Sequence, residues 1–386
     1  MRVLYISTPP FFDYDLSFVG HLKEHCEITY LLDLAPYHLE SSALSIKSNL
    51  PVAGIFQGKE FNELNAFDKF IPLDNFYVIN RISKKALSRS NLKLQKEIIK
   101  FIDKLNPDLI HFGTLLNWNY LAFLFLNKKK VVLTLHDPFP HSGEHSFINM
   151  SIRKLNFSFI KNIILLNDHQ KKKFLAKTPI FRFNHVLNSK LGIYEYLKEY
   201  KVSKYSSAKF RLLFFGRISK YKGVDDLLNA FTLIEMDFPD IELIIAGKGT
   251  YWFDIENYLK NPKVRILNRF IPNGELVELI SNADLVVCPY KDATQSGVVM
   301  SSFALNKPVL ATKVGGFLEM IEDGYTGFLV PPNDIIALSE KLKEIIKNKS
   351  RLKNIEKNIL EEYSSGKNSW KVISKHLTEN YRIITK

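Results

Sequence analysis

The sequence predicts an α/β protein made of two parallel-sheet, Rossmann-like domains, and three observations predict it. Short, nearly continuous apolar runs alternate with longer stretches of helical periodicity, as strands buried on both faces and their crossover helices require. The alternation restarts once, after a polar stretch rich in Tyr and Lys. With 386 residues and 46% hydrophobic content, the chain is too long for one ordinary core and ample for two.

Strands are expected at 2–7, 28–33, 108–113, 131–136 and 162–166 in the first half. In the second half they are expected at 211–216, 242–247, 263–267, 284–289 and 308–312. These give a first domain over 1–187, a linker over 188–208 and a second domain over 209–367. In open parallel sheets ligands bind beyond the carboxyl ends of the strands. Two such sheets would face each other across a cleft, so the residues just after each strand are the ones to weigh.

Composition narrows the class. Cys26 and Cys288 are far apart, make neither a disulfide framework nor a metal cluster, and suit a reducing compartment. The start, Met1 to Ser7, lacks the build of a signal peptide, and the apolar stretch 115–126 is interrupted by Asn117 and Asn119 and too short to span a bilayer. The expectation is a cytoplasmic protein, soluble or peripheral on the inner face of a membrane. A net charge of +13 points to anionic partners such as nucleotide phosphates or a lipid surface. The half ending at Lys190 holds 25 basic against 16 acidic residues, most of that excess. No aromatic platform or basic reading helix supports nucleic acid as a partner.

The chemistry concentrates after strands. Gly216 permits a tight exit from one strand, and Arg217 and Lys222 follow on a short loop before a helix at 224–231. An Arg fork with a Lys point charge suits a diphosphate; two solvated cations are the plainer alternative. Gly247-Lys248-Gly249 reads as a phosphate contact or a plain tight turn. Ser296 is a good N-cap for a helix at 297–305. Free N–H groups at Gly297 and Val298, the helix dipole, and the side chains of Thr294, Gln295 and Ser296 would make an anion site; the alternative is an ordinary cap. Gly315-Gly316 would let backbone approach a ligand closely. Glu319 would accept from a hydroxyl, or simply favour a helix N-terminus. In the first domain, His136 and Asp137 close a strand. The cluster His136, Asp137, His141, Glu144 and His145 matches no metal spacing, so no metal is expected and His136 reads as a hydrogen-bonding group toward a sugar.

Together these residues resemble glycosyltransferase family 4, of the GT-B fold. The resemblance is carried by Phe215-Gly216-Arg217 with Lys222-Gly223, by Ala311-Thr312 with Gly315-Gly316 and Glu319, and by Asp323-Gly324-Tyr325-Thr326-Gly327-Phe328-Leu329-Val330-Pro331-Pro332. Ser369-Trp370 within a last amphipathic helix, 368–386, is also family-like, and such a helix crosses back to the first domain. The resemblance implies a retaining, metal-free and cofactor-free transfer from a nucleoside diphosphate sugar, UDP-linked, to a glycan or lipid-linked acceptor in surface polysaccharide or glycolipid synthesis. Arg217 and Lys222 would hold the diphosphate beside Gly216. Arg269-Phe270-Ile271 would line the base pocket, His136 would reach the sugar and Glu319 would bond the donor. Two features depart from the family. Ala293 and Ser301 stand where it commonly has two glutamates seven residues apart, with Asp292 beside the first. Pro9-Pro10-Phe11-Phe12-Asp13-Tyr14-Asp15 replaces a Gly-Gly loop, so Phe12, Asp13 and Tyr14 are expected to shape the acceptor side. Alternatives are another GT-B enzyme, such as a nucleotide-sugar epimerase or phosphorylase, and a non-catalytic binding module.

One surface pattern remains. Lys85, Arg89, Lys93, Lys96, Lys100 and Lys104 fall within about a third of a turn if 84–105 is helical. Leu87, Leu94, Ile98, Phe101 and Leu105 form a separate apolar stripe. The cations read as a docking face for anionic lipid or as an ordinary solvated face.

Overall fold

The computed structural model describes residues 1–35, 43–44, 46, 50, 52–115, 130–139, 147–178, 180–203 and 209–386. His141, Glu144, His145 and most of the 115–126 stretch therefore lie outside the described residues. The chain divides into two compact units, Met1–Gly192 with Trp370–Lys386, and Ile193–Ser369.

The first unit is an eight-stranded sheet. Its strands are β1 (Arg2–Ser7), β2 (Glu27–Leu34), β3 (Gly54–Gln57), β4 (Phe76–Asn80), β5 (Leu109–Phe112), β6 (Val131–Leu135), β7 (Asn162–Leu165) and β8 (His185–Asn188). Their order is β3-β4-β2-β1-β5-β6-β7-β8, and among the described residues only the β3–β4 pair is antiparallel. Side chains alternate across β1. Leu4 and Ile6 enter a core with Leu94, Ile98, Phe157 and Phe174 from the helices Arg89–Leu105, Phe147–Phe159 and Asp168–Lys177. Tyr5 points the other way, onto Phe18 of the helix Phe12–Leu22. The last helix, Trp370–Thr385, packs on that same helix. Its Trp370 is buried against Tyr14 and Phe18, and a Cβ on Gly192 would lie 2.4 Å from the Trp370 ring.

The second unit is a six-stranded, all-parallel sheet of β9 (Phe210–Phe215), β10 (Ile241–Ala246), β11 (Val264–Leu267), β12 (Leu285–Cys288), β13 (Val309–Thr312) and β14 (Gly327–Val330). The order is β11-β10-β9-β12-β13-β14. Connections run outward from β9 in one direction and from β12 in the other. The topological switch point lies between those two strands, and a crevice forms beyond their carboxyl ends.

The ten expected strands correspond to β1, β2, β5, β6, β7 and β9 to β13 within a residue or two. The expected linker differs in part. Asn188 ends β8, and residues 193–203 belong to the second unit, with a 3-10 turn at Glu195–Glu199; 204–208 lie outside the described residues. The basic stripe is also shortened. Ser88 caps Asn91 N–H at 3.3 Å, so the helix begins at Arg89 and Lys85 lies before it. Leu87 is likewise outside the helix and exposed, whereas Leu94 and Ile98 are buried. Arg89, Lys93, Lys96, Lys100 and Lys104 all remain exposed on the helix. No described helix is long and apolar enough to cross a membrane.

Candidate functional site

Beyond β9 the chain turns through Gly216, whose φ of 109° a side chain rarely adopts. The 3-10 turn Lys220–Lys222 follows, closed by Gly223 at φ 65°. A Cβ on Gly223 would meet the Pro289 carbonyl oxygen at 2.0 Å, so only glycine lets this turn pack against the end of β12. The turn carries the Lys222 side chain back toward the strand end. Its Nζ lies 3.1 Å from where a Cβ on Gly216 would stand, and Val298 Cγ2 lies 3.2 Å from the same point. Gly216, Lys222 and the first turn of the helix Gly297–Ala304 therefore converge.

Lys222 is only 9% exposed. Its ammonium lies 4.9 Å over the Tyr290 ring and has no carboxylate or hydrogen-bond partner among the described residues. Burial pushes its pKa down to about 8; the nearby Cys288 opposes this and Arg217 adds to it. A buried cation without a counterion is expensive, and an anion beside it would offset that cost. Arg217 is exposed just after Gly216.

The other wall follows β12. Ser296 is buried, and its Oγ accepts from Val299 N–H at 3.4 Å, capping the helix Gly297–Ala304. The N–H groups of Gly297 and Val298 precede the first intrahelical bonds and stay available as donors. Gln295 Nε2 is enclosed without a partner among the described residues, and Thr294 beside it is half-buried. Ala293 and Ser301, where the resemblance leads one to expect glutamates, are both buried.

The structure gives the remaining glycines different roles. A Cβ on Gly247 would meet the Gly216 carbonyl oxygen at 2.0 Å, and one on Gly249 would meet that of Ile218 at 2.2 Å. Ile218 N–H also bonds the Lys248 carbonyl. The Gly-x-Gly turn is thus required by the neighbouring backbone, which favours the tight-turn reading over phosphate contact. Gly315, at φ 40°, would meet the Ala293 carbonyl oxygen at 1.8 Å, and Gly316 N–H bonds that same oxygen. The Gly-Gly pair therefore clamps the loop that leads into Ser296. Glu319 follows, exposed, on the short helix Phe317–Met320, in a hollow shared with Glu322, Glu362 and Lys367. Arg269 is held by both oxygens of Glu275, at 2.6 and 2.8 Å. Phe270 beside it is exposed and Ile271 is buried.

In the first unit, His136 follows β6. Its ring packs on Phe11 and edge-on to Tyr14, with centroids 4.5 and 5.1 Å away. Burial lowers its pKa to about 4, partly offset by Asp137 and a hydrogen bond to the backbone of Gly113. Nε2 is enclosed and has no partner among the described residues. Arg153 holds the turn after His136 by donating from Nη1 to the carbonyls of Asp137 and Pro138 at 2.7 and 2.9 Å.

The expected acceptor-side loop is corrected here. Pro9–Phe11 form a 3-10 turn that leads straight into the helix Phe12–Leu22, because proline's fixed φ suits a helical first turn. Phe12 is then buried among Tyr30, Phe67 and Phe76, and Tyr14 among Phe18, His136 and Trp370, so neither is open to an acceptor. Asp13 is half-buried, and its Oδ1 accepts from Ala43 N–H at 2.7 Å. Beneath them Asp15 accepts from the Tyr5 and Tyr30 hydroxyls at 2.7 and 2.8 Å, and burial raises its pKa to about 7.

Sequence reasoning missed Tyr290 and Arg153. Only the position of Tyr290 just after a strand signalled it.

Two family models match the chain. Glycosyl transferases group 1 covers residues 198–362, and Glycosyl transferase 4-like covers residues 27–167. An uncharacterized glycosyltransferase of Methanocaldococcus jannaschii is 33% identical over 38% of this chain and 41% of its own length. The capsular polysaccharide biosynthesis glycosyltransferase CapM of Staphylococcus aureus is 26% identical over 54% of this chain and 58% of its own. The chain thus spans about half the length of these curated relatives. Among solved structures, Anabaena HepE in complex with UDP-glucose superimposes with a TM-score of 0.67 at 17% identity, covering 99% of this chain and 100% of that one.

Proposed function

Because the chain belongs to the group 1, family-4-like glycosyltransferases, we propose that it moves a sugar from a nucleoside diphosphate donor to a glycan or lipid-linked acceptor. The donor is UDP-linked, the anomeric configuration is retained, and no metal or cofactor takes part. The observation that carries this reading is the convergence of the uncompensated Lys222 ammonium, Gly216 and the open N–H groups of Gly297 and Val298. Two kinds of positive potential meet beside Gly216, a buried cation and a helix N-terminus, and the exposed Arg217 follows next in the chain.

Catalysis then rests on stabilising the leaving diphosphate as charge develops on it. A pair of carboxylates at set separation is the device of glycosidases; Ala293 and Ser301 supply none at those positions. The departing phosphate oxygen takes the acceptor's proton on the same face. Phe270 offers an exposed ring for the base, Gln295 and Thr294 bond the diphosphate or ribose, Glu319 bonds the donor, and His136 acts on the sugar. HepE, solved with UDP-glucose, supports the donor class, and CapM, named for capsular polysaccharide biosynthesis, supports a place in polysaccharide synthesis.

The test is calorimetry with a panel of nucleoside diphosphates and their sugars, followed by product analysis with and without acceptor. A ligand that binds at 100 times its Kd should add about 2.7 kcal/mol to stability. Gln295→Ala should weaken nucleoside diphosphate binding about fivefold to tenfold, since its enclosed Nε2 has no internal partner. Unchanged affinity in that variant removes Gln295 from the site, and turnover of donor without acceptor would favour an epimerase.

The same reading places the first unit against anionic lipid through Arg89, Lys93, Lys96, Lys100 and Lys104. Each cation near such a surface contributes about 1 kcal/mol, enough together for reversible binding. Sedimentation with phosphatidylserine-rich vesicles should pellet the protein at low salt and release it as salt rises. Replacing Lys93, Lys96 and Lys100 with Gln should abolish pelleting and spare donor binding. A wild type that ignores anionic vesicles at low salt makes this helix face solvent decoration.

A further inference from the structure

We propose that the Tyr194 hydroxyl is a further donor to the bound diphosphate, supplied by a segment that reads in sequence as linker; this rests on the donor reading above. The 3-10 turn Glu195–Glu199 is fixed to the second unit by buried Tyr196 and Leu197. Asn273 Nδ2 donates to the Tyr196 hydroxyl at 3.3 Å. That anchoring sets Tyr194, just before the turn, at the start of the helix Gly297–Ala304. A Cβ on Gly297 would lie 2.9 Å from the Tyr194 hydroxyl and 3.3 Å from its ring. Glycine at the first helical position is what lets the phenol lie against the helix end.

The helix has eight residues, and Ser296 satisfies only the Val299 N–H by its side chain. The open donors at Gly297 and Val298 lie beside the Tyr194 hydroxyl on one side and the nine-tenths-buried Lys222 ammonium on the other, 3.1 Å from the Gly216 Cβ position that Val298 also approaches. An anion seated on these N–H groups has Lys222 as its counterion and Tyr194 as a neutral, directional donor. A hydroxyl hydrogen bond to an ionised phosphate oxygen is roughly twice as strong as one between neutral groups. The phenol therefore contributes to affinity and fixes the orientation of the phosphate, which an ammonium acting as a point charge does not.

The experiment titrates wild type and Tyr194→Phe with UDP, GDP and ADP and compares their Tm without ligand. Phenylalanine keeps the ring packing, and the Tm without ligand separates any loss of fold from loss of the nucleotide contact. Affinity for the nucleoside diphosphate that binds wild type should fall about tenfold. In a Lys222→Met background the same Tyr194→Phe change should cost less, because both groups serve one anion. Equal affinity in wild type and Tyr194→Phe overturns the proposal and leaves the donor reading standing. Failure of all three nucleotides to bind wild type overturns both.

Discussion

Lys222→Ala is expected to lower turnover by about a hundredfold or more while the free protein becomes no less stable. The two effects have opposite signs because the ammonium is buried and uncompensated. In the folded chain its pKa falls from 10.5 to about 8, so at neutral pH the charge costs stability, of the order of 3 kcal/mol. The sign follows from linkage. Between about pH 8 and 10.5 the unfolded chain binds the proton that the folded chain has lost, so stability rises with pH across that window. Removing the amine removes both the cost and the slope. A bound diphosphate reverses the logic, because it stabilises the charged form. Nucleoside diphosphate affinity should therefore weaken as pH rises through about 8, with proton uptake on binding above that pH. Arg217→Ala should lower turnover in the same direction without the pH signature, since guanidinium stays protonated. Kinetics, thermal melts and calorimetry at pH 7 and 9 check all three. Near-normal turnover in both variants, with the fold intact, would remove the diphosphate assignment.

Much of this unit was legible from residue order. Strands buried on both faces read as continuous apolar runs, and β9 to β13 fall where those runs do. Gly216, Lys222 and Ser296 were legible because each follows a strand at the carboxyl edge, where an open parallel sheet binds ligands. The strands that were not legible are short, and two of them lie at sheet edges with half-buried residues. β3 and β8 have too few fully buried positions to stand out, and His185 and Asn188 make β8 look like linker. The same bias hid Tyr194. In a polar segment a tyrosine signals nothing until the buried Tyr196 and Leu197 show that the segment is packed. Pro9-Pro10 misled in the other direction. Two prolines read as loop, yet they start a helical turn that turns Phe12 and Tyr14 into core residues. Double glycines misled in purpose rather than place. Gly315 is needed for a carbonyl of its own chain, a contact that no local pattern encodes.

His136→Ala should lower turnover about a hundredfold and leave nucleoside diphosphate affinity within about twofold. The ring belongs to the first unit, while the groups proposed to hold the diphosphate all belong to the second. Its hydrogen bond to the Gly113 backbone and its packing on Phe11 and Tyr14 fix its orientation, leaving Nε2 as the nitrogen without a partner. Burial holds the pKa near 4, so the imidazole is neutral throughout the physiological range. On the proposed reading it would meet the sugar as a fixed neutral hydrogen-bonding group, and its titration should produce no inflection in turnover between pH 6 and 8. The pH signature appears in stability instead. Between about pH 6.5 and 4 the unfolded chain binds a proton that folded His136 refuses, so stability rises with pH there, and His111, lowered by burial to about 3, adds to the same slope. Asp15, raised by burial to about 7, works against them, because the folded chain keeps its proton as pH rises from about 3.8. His136→Ala should thus flatten the acid limb of a melting-temperature profile without erasing it. His136→Gln is the second variant, since it offers a neutral hydrogen-bonding group at a similar reach. Partial recovery of turnover with glutamine, at unchanged nucleotide affinity, is the expected result. Equal losses of turnover and nucleotide affinity in both variants would place His136 in nucleotide binding rather than on the sugar.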